Sequence, residues 1–207
     1  MANKKATKTS TGKATKKPTK RLFTEEALRV ASRDGFEALT IGTLAARLGV
    51  SKSGLFGHFG SKENLQVKIV EHAAAQFQEK VIAPSHGLRG QDKLVGYVRN
   101  WLEWADWDAL PGGCPFVVGS IELDHKDGPV IERLRHLQLR WKSLLVQTVE
   151  EERGVAFRED IDAEAVVFEV FALYLAHHYY KRVFQSEEAK ALTLGAFEGL
   201  LGRLERS

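Results

Sequence analysis

The residues that could do chemistry cluster in one short stretch, Gly49 to Leu65, GVSKSGLFGHFGSKENL. Ser51, Lys52, Ser53 and Gly54 stand where a very short helix would begin, and Ser61 and Lys62 where the next would begin. A helix N-terminus directs free backbone N–H groups and a positive dipole end at an incoming anion such as phosphate. Gly54 and Gly57 leave room for a surface to approach closely. Phe56 reads as exposed, and His58 reads either as a contact or as a solvated surface histidine. Leu55 and Phe59 read as core. The chemistry on offer is phosphate capture rather than bond making.

Two further groups of residues stand out. Cys114 precedes Pro115, which suits the first position of a helix, so Cys114 would be its N-cap. A thiol there is either reactive or, the favoured reading, a small buried hydrophobe. Trp101, Trp104, Phe116, Trp141, Phe171, Tyr174 and His177, with Cys114, could line an apolar pocket for a small hydrophobic or aromatic ligand. Aromatic residues at helical spacing are more often plain core. Trp104 and Trp107 cannot both share the stripe that carries Trp101. No nucleophile stands with a base, and no Cys/His cluster has zinc spacing, so neither catalytic residues nor metal or other cofactors are expected. Glu132 and His136 share a helix face, but His177 and His178 point apart.

Helices must position these residues, because apolar spacing of three and four runs nearly the length of the chain and strand signals are almost absent. Thr24 is the expected cap of a first helix, Thr40 of a second, Ser51 of a third and Ser61 of a fourth, with Gly35 and Gly49 closing the first two. The second and third, 41–48 and 52–58, are joined by a tight glycine turn, which is the helix-turn-helix pattern. The fourth runs to Pro84 on a stripe of Leu65, Ile69, Ala73, Phe77 and Val81. Helices follow over 91–109, 115–125 and from 129 onward, and residues 163–184 are apolar nearly all round. Ser186 is the expected cap of a last helix bearing Gly195, Gly199 and Gly202. Three glycines on one face suggest a close helix–helix approach, read here as a dimer seam with the helix at 163–184.

The 207 residues carry a net charge of +3, unevenly placed. Eight of the 30 basic residues and none of the 27 acidic ones lie in residues 1–21, so the remainder is net acidic by five. The basic arm is either a contact for a polyanion or a solvated tail. A single cysteine excludes an internal disulfide framework and suits a reducing cytoplasm. No apolar run is long enough for a membrane helix, and residues 1–20 lack the apolar core of a secretory signal.

Residues 34–65, DGFEALTIGTLAARLGVSKSGLFGHFGSKENL, resemble the TetR family of bacterial transcription regulators in order and spacing. Phe56, Gly57, Gly60 and Ala31 depart from common choices of that family, which bears on the target sequence. The resemblance implies an all-α fold of about nine helices. It places a disordered basic arm at 1–16, a helix-turn-helix DNA-binding domain at 17–77 with its motif at 40–59, and a ligand-binding and dimerisation domain at 78–207. It implies a homodimer on a palindromic double-stranded operator, most simply a ligand-responsive repressor. The alternative is a ligand-independent regulator controlled by a protein partner or by oxidation of Cys114. Thr40, Ser51, Phe56, His58 and Lys62 match backbone-contacting positions, and Lys52, Ser53 and Gly54 match positions near base edges. Residues 110–130 are similar to a subgroup with Gly-Gly-Cys before its sixth helix.

Overall fold

The computed structural model describes residues 20–205. The basic arm assigned to 1–16 lies outside the described residues. Among those described there are nine α-helices: α1 (Lys20–Asp34), α2 (Ile41–Leu48), α3 (Lys52–Phe59), α4 (Lys62–Phe77), α5 (Gly90–Ala105), α6 (Pro115–Glu122), α7 (Pro129–Glu152), α8 (Ala163–Arg182) and α9 (Ala189–Leu204). No strand forms among them; two isolated bridges join Phe157 to Arg153 and to Glu205.

Side-chain caps open four of the nine described helices, α2, α3, α4 and, through Asp162, α8. Thr40 and Thr43 form a reciprocal capping box at α2, and the Ser51 and Ser61 hydroxyls accept from the Gly54 and Asn64 amides to open α3 and α4. Gly49 ends α2 at φ 63°, a left-handed conformation that favours glycine. Two expected caps fail. α1 begins at Lys20, so Thr24 lies inside it and donates back to the Arg21 carbonyl. Side-chain hydroxyls satisfy themselves in this way within helices as well as at their starts. Ser186 accepts from the Glu188 amide in a local turn, and α9 starts only at Ala189.

α1, α2, α3 and the start of α4 enclose a small core of Leu28, Ala31, Leu39, Leu44, Leu55, Phe59 and Leu65. Burying one such leucine or phenylalanine contributes about 1.5–3 kcal/mol. α4 then continues into the larger helical body, where Phe77 and Val81 join a core built from α5 to α9. Instead of running on as α-helix, the chain widens into a π-helical turn, Gln78–Ile82, and tightens into a 3-10 turn, Ala83–Ser85. Pro84, with no N–H to give, interrupts the regular ladder there. π-turns are rare and recur at functional sites.

α8 differs from its expected burial. Val166, Val167, Val170, Tyr174 and His177 are buried, but Phe168, Leu175 and Tyr179, and Phe184 just beyond the helix, are about half or more exposed. The apolar residues round the helix therefore serve two faces, one packed inward and one open. Gly195, Gly199 and Gly202 on α9 are also exposed, and a Cβ at any of them would meet nothing within 4 Å.

Candidate DNA interface and ligand pocket

The tip of the small domain presents α3 with one face open. Ser51, Lys52, Ser53, Gly54, Phe56 and Gly57 are exposed, whereas Leu55 and Phe59 anchor the opposite face. Phe56 is 58 % exposed on that open face. The Lys52 side chain folds back over Gly42 in the first turn of α2, beside the Thr40 hydroxyl. One lysine thus sits between the N-termini of the two helices that could bind phosphate. His58 is half-buried, its ring edge-on to Phe59 at 4.7 Å and tilted against Phe23 at 6.2 Å. Lys62 pairs with Glu37 at 3.4 Å and must exchange that carboxylate for any phosphate it takes.

The turn that feeds α2 is held from two sides. Gln66 on α4 donates through its side-chain amide to the carbonyls of Phe36 and Leu39. Glu122, the last residue of α6, accepts from the Phe36 amide at 2.6 Å and the Glu37 amide at 2.9 Å. Gly35 permits this approach: it has φ 87°, and a Cβ there would lie 2.5 Å from the Glu122 carboxylate. At the other end of α6 the Gly-Gly-Cys motif docks on α1. The Ser32 hydroxyl donates to the Gly113 carbonyl at 2.8 Å and accepts from the Gly112 amide at 3.0 Å. A Cβ at Gly112 would sit 1.6 Å from the Ser32 carbonyl oxygen, so only glycine fits. In the middle of α6, a Cβ at Gly119 would meet the Phe36 ring at 2.7 Å. α6 is therefore fixed to the small domain at both ends and in its centre.

The opposite face of α6 borders a partly open pocket of about 80 Å3, whose lining includes the exposed Ile121 and Leu175. Of the expected pocket residues, Trp101, Cys114, Phe116, Trp141, Phe171 and Tyr174 line it, joined by Phe77, Val117, Ser120, Ile121, Gln138 and Leu175. Trp104 and His177 do not. Trp104 turns toward α4, edge-on to Phe77 at 5.8 Å, and donates to the Cys114 sulfur at 3.4 Å. His177 is occupied between Asp106 (3.2 Å) and the Thr193 hydroxyl (3.3 Å). Both positions are buried, but their helical registers aim them away from the cavity. Phe77, edge-on to Trp104, Phe116 and Trp141, stands between this cavity and an open groove of about 880 Å3 along α4 and α7. The sequence marked Phe77 only as stripe, and nothing local distinguishes Gln138 or Ser120. Burial pushes the Cys114 thiol up, so its thiolate is disfavoured.

Residues 23–67 match the family model for bacterial regulatory proteins of the tetR family, and residues 90–197 match that for a tetracyclin repressor-like C-terminal domain. The second match alone spans more than half of the chain. The chain belongs to the TetR family. It is a DNA-binding transcriptional regulator of that family, and the helix-turn-helix is its reading head. No curated protein matches it in sequence. Among solved structures, a TetR regulator from Chloroflexus aurantiacus is similar over 90 % of this chain and 96 % of its own, at 21 % identity and a TM-score of 0.77. A transcriptional regulator from Saccharomonospora viridis, solved with choline, covers 90 % and 97 % at 17 % identity and 0.75. AibR, solved with isovaleryl coenzyme A and operator DNA, covers 89 % and 97 % at 17 % identity and 0.69. These likenesses carry the fold. TetR regulators bind operator DNA and are typically not enzymes. Among the described residues no group of His, Cys, Asp or Glu could hold a metal, and no helix is long and apolar enough to cross a membrane.

Proposed function

We propose that this TetR regulator is a ligand-responsive repressor that binds a palindromic operator as a homodimer in the cytoplasm. The observation that carries the reading is the double hold on the 35–39 turn. Gln66 and Glu122 belong to α4 and α6, the same two helices that supply Phe77, Phe116 and Val117 to the pocket behind α6. An occupant that shifts either helix pulls on the turn that leads into α2 and so re-aims α3. Coupling between such sites is typically about 1–3 kcal/mol, or roughly 5–150-fold in operator affinity.

Thr40, Ser51, Phe56, His58 and Lys62 take backbone contacts in this reading, and Lys52, Ser53 and Gly54 approach base edges. Phosphate contacts supply salt-dependent affinity, and base contacts supply sequence. The open stripe of α8, Phe168, Leu175 and Tyr179, with Leu192, Gly195, Gly199 and Gly202 of α9, forms the dimer seam. Control through oxidation of Cys114 is disfavoured, because the thiol is 1 % exposed and held neutral. The test is selection of duplexes from a random pool, followed by an anisotropy titration of the recovered site. A two-fold symmetric site bound by two chains, and released by a small molecule, is the expected outcome. An asymmetric site, or an affinity that no small molecule alters, would refute the reading.

A further inference from the structure

The open groove between α4 and α7 has two walls of different kind. Arg133, Leu137, Arg140, Leu144 and Gln147 follow one another at spacings of four and three, so they share one stripe of α7, and all five line the groove. The facing wall is Ala74 and Ala75 of α4, then Gln78 and Ile82 of the π-turn. The buried rings of Phe77, Phe116 and Trp141 lie beneath. Leu137, Leu144 and Ile82 are only half-buried, so apolar surface remains open along the groove. A π-turn is rare in helices and recurs where they bind something.

The charges on these walls are unbalanced. Glu71 is the one acidic residue in the lining, and both of its oxygens face Arg133, at 2.5 Å from Nε and 2.9 Å from Nη2. That pair ties α4 to α7 and neutralises one end of the groove. Arg140 stands seven residues further along α7, about 10 Å away. It is exposed and forms no ion pair among the described residues. His86 and His136, which also line the groove, add no negative charge. A cationic occupant would therefore meet only repulsion. A phosphate ester of several charges would bring more than one free guanidinium can balance. A neutral molecule would gain the apolar contact and nothing from Arg140.

We infer that this groove seats a monoanionic amphiphile, a carboxylate with an unbranched apolar tail, its head on Arg140 and its tail along Leu144 and Ile82. The inference rests on the ligand-responsive reading above and names the ligand class for it. The tail runs away from the end that Glu71 and Arg133 close. From Arg140 to Gln147 the stripe is about 10 Å long. An extended chain advances about 1.2 Å per bond, as a polypeptide backbone does, so a tail of about eight carbons fills it. Phe77, Phe116, Gln138 and Trp141 line both the groove and the pocket behind α6. A tail pressed on these rings bears on the wall that α4 and α6 share.

The experiment uses the full chain and four probes: octanoate, octanol, octylammonium and hexanoate. Binding is read by calorimetry without DNA, at low and high salt. Octanoate is expected to bind about tenfold more tightly than octylammonium, and hexanoate about tenfold more weakly than octanoate for its two missing methylenes. Arg140→Gln should weaken octanoate about threefold and leave octanol unchanged, the modest size expected of an exposed ion pair. High salt should shrink the same difference. Arg135→Gln is the control, an exposed arginine of α7 that borders the other groove, toward α8, and should change nothing. Ala75→Leu fills the exposed α4 wall and should weaken octanoate and octanol alike, with the melting temperature unchanged. Tighter binding of octylammonium, equal effects of the two arginine replacements, or no binding of octanoate at millimolar concentration would overturn the inference. Operator affinity is measured beside these titrations. Failure of the probe pattern with operator binding intact rejects the ligand class alone, whereas absence of operator binding rejects the repressor reading.

Discussion

The reading head and the pocket behind α6 are opposite solutions to the placement of a few side chains. In the head, Ser51, Lys52, Ser53 and Gly54 project from a helix of eight residues whose other face is pinned by Leu55 and Phe59. Each projecting residue is positioned by a cap or turn within a few residues of it. In the cavity, Phe77, Cys114, Trp141 and Tyr174 come from four different segments and are held by packing, with one hydrogen bond from Trp104 to the Cys114 sulfur. The contrast teaches that the head is locally determined, whereas the cavity depends on the relative seating of α4, α6, α7 and α8. The contacts of Ser32, Gln66 and Glu122 join one to the other.

The largest effect is expected where that joint is tightest. Gly112→Ala places a Cβ 1.6 Å from a backbone carbonyl that cannot swing aside. Overpacking of this kind costs about 1–3 kcal/mol and occasionally more. The melting temperature should fall by several degrees, and operator affinity should fall with it. Gly199→Ala is the control, since its Cβ meets nothing within the chain. There the helix gains roughly 1 kcal/mol of propensity, and any loss that depends on protein concentration reports the seam. Equal damage from both would erase the distinction between the buried and open glycines.

Charge on the open face of α8 comes next. Phe168→Glu with Leu175→Glu should weaken self-association at least 100-fold, about 2–4 kcal/mol, while circular dichroism stays helical. Sedimentation of an unchanged dimer would place the interface elsewhere. A smaller change is expected at the head. Lys52→Ala should reduce the salt slope of operator binding by about 0.9 for the phosphate contact it loses. Glu37→Gln should act in the opposite direction by releasing Lys62 from its carboxylate partner. Identical salt slopes in the three proteins would remove Lys52 and Lys62 from the interface.

The smallest effect concerns the body alone. Partial burial works against the Asp106 charge, but the hydrogen bond and charge of His177, with Lys181 and Lys190 nearby, hold its carboxyl below the usual range. A carboxyl whose pKa is lower folded than unfolded contributes stability above about pH 4, and that contribution is lost as pH falls through the folded value. Asp106→Asn should therefore lose less stability than the natural chain between pH 5 and pH 3. Parallel acid limbs in urea titrations would contradict this, and DNA binding at neutral pH should differ little.

The same contrast explains what was legible in the sequence. Thr40, Ser51, Ser61 and Gly49 announce themselves because a cap is a contract between residues three or four apart. The helical periodicity of 65–81 and 94–105 likewise located both cores. Thr24 and Ser186 misled because a hydroxyl can satisfy itself inside a helix or in a turn as well as at a helix start. Glu122 and Gln66 were invisible as joints, since their partners lie 85 or 86 and 27 or 30 residues away. The Gly-Gly-Cys motif was visible as letters, but its cause, the backbone of α1 against Gly112, is a tertiary contact. Trp104 and His177 show the limit of reading a pocket from residue type, because a single helical step decides whether a buried ring faces a cavity or a neighbour.

The central claim is that the state of the cavity wall reaches the reading head through α6 and its hold on the 35–39 turn. The most direct measurement is a double-mutant cycle on operator affinity, with Phe116→Ala altering the wall and Glu122→Gln loosening the hold. Phe116→Ala should change affinity in the natural chain and change it much less when Glu122 is already replaced, a coupling of about 1 kcal/mol or more. Additive effects, within about 0.3–0.5 kcal/mol, would mean that the wall and the turn act independently and would contradict the account.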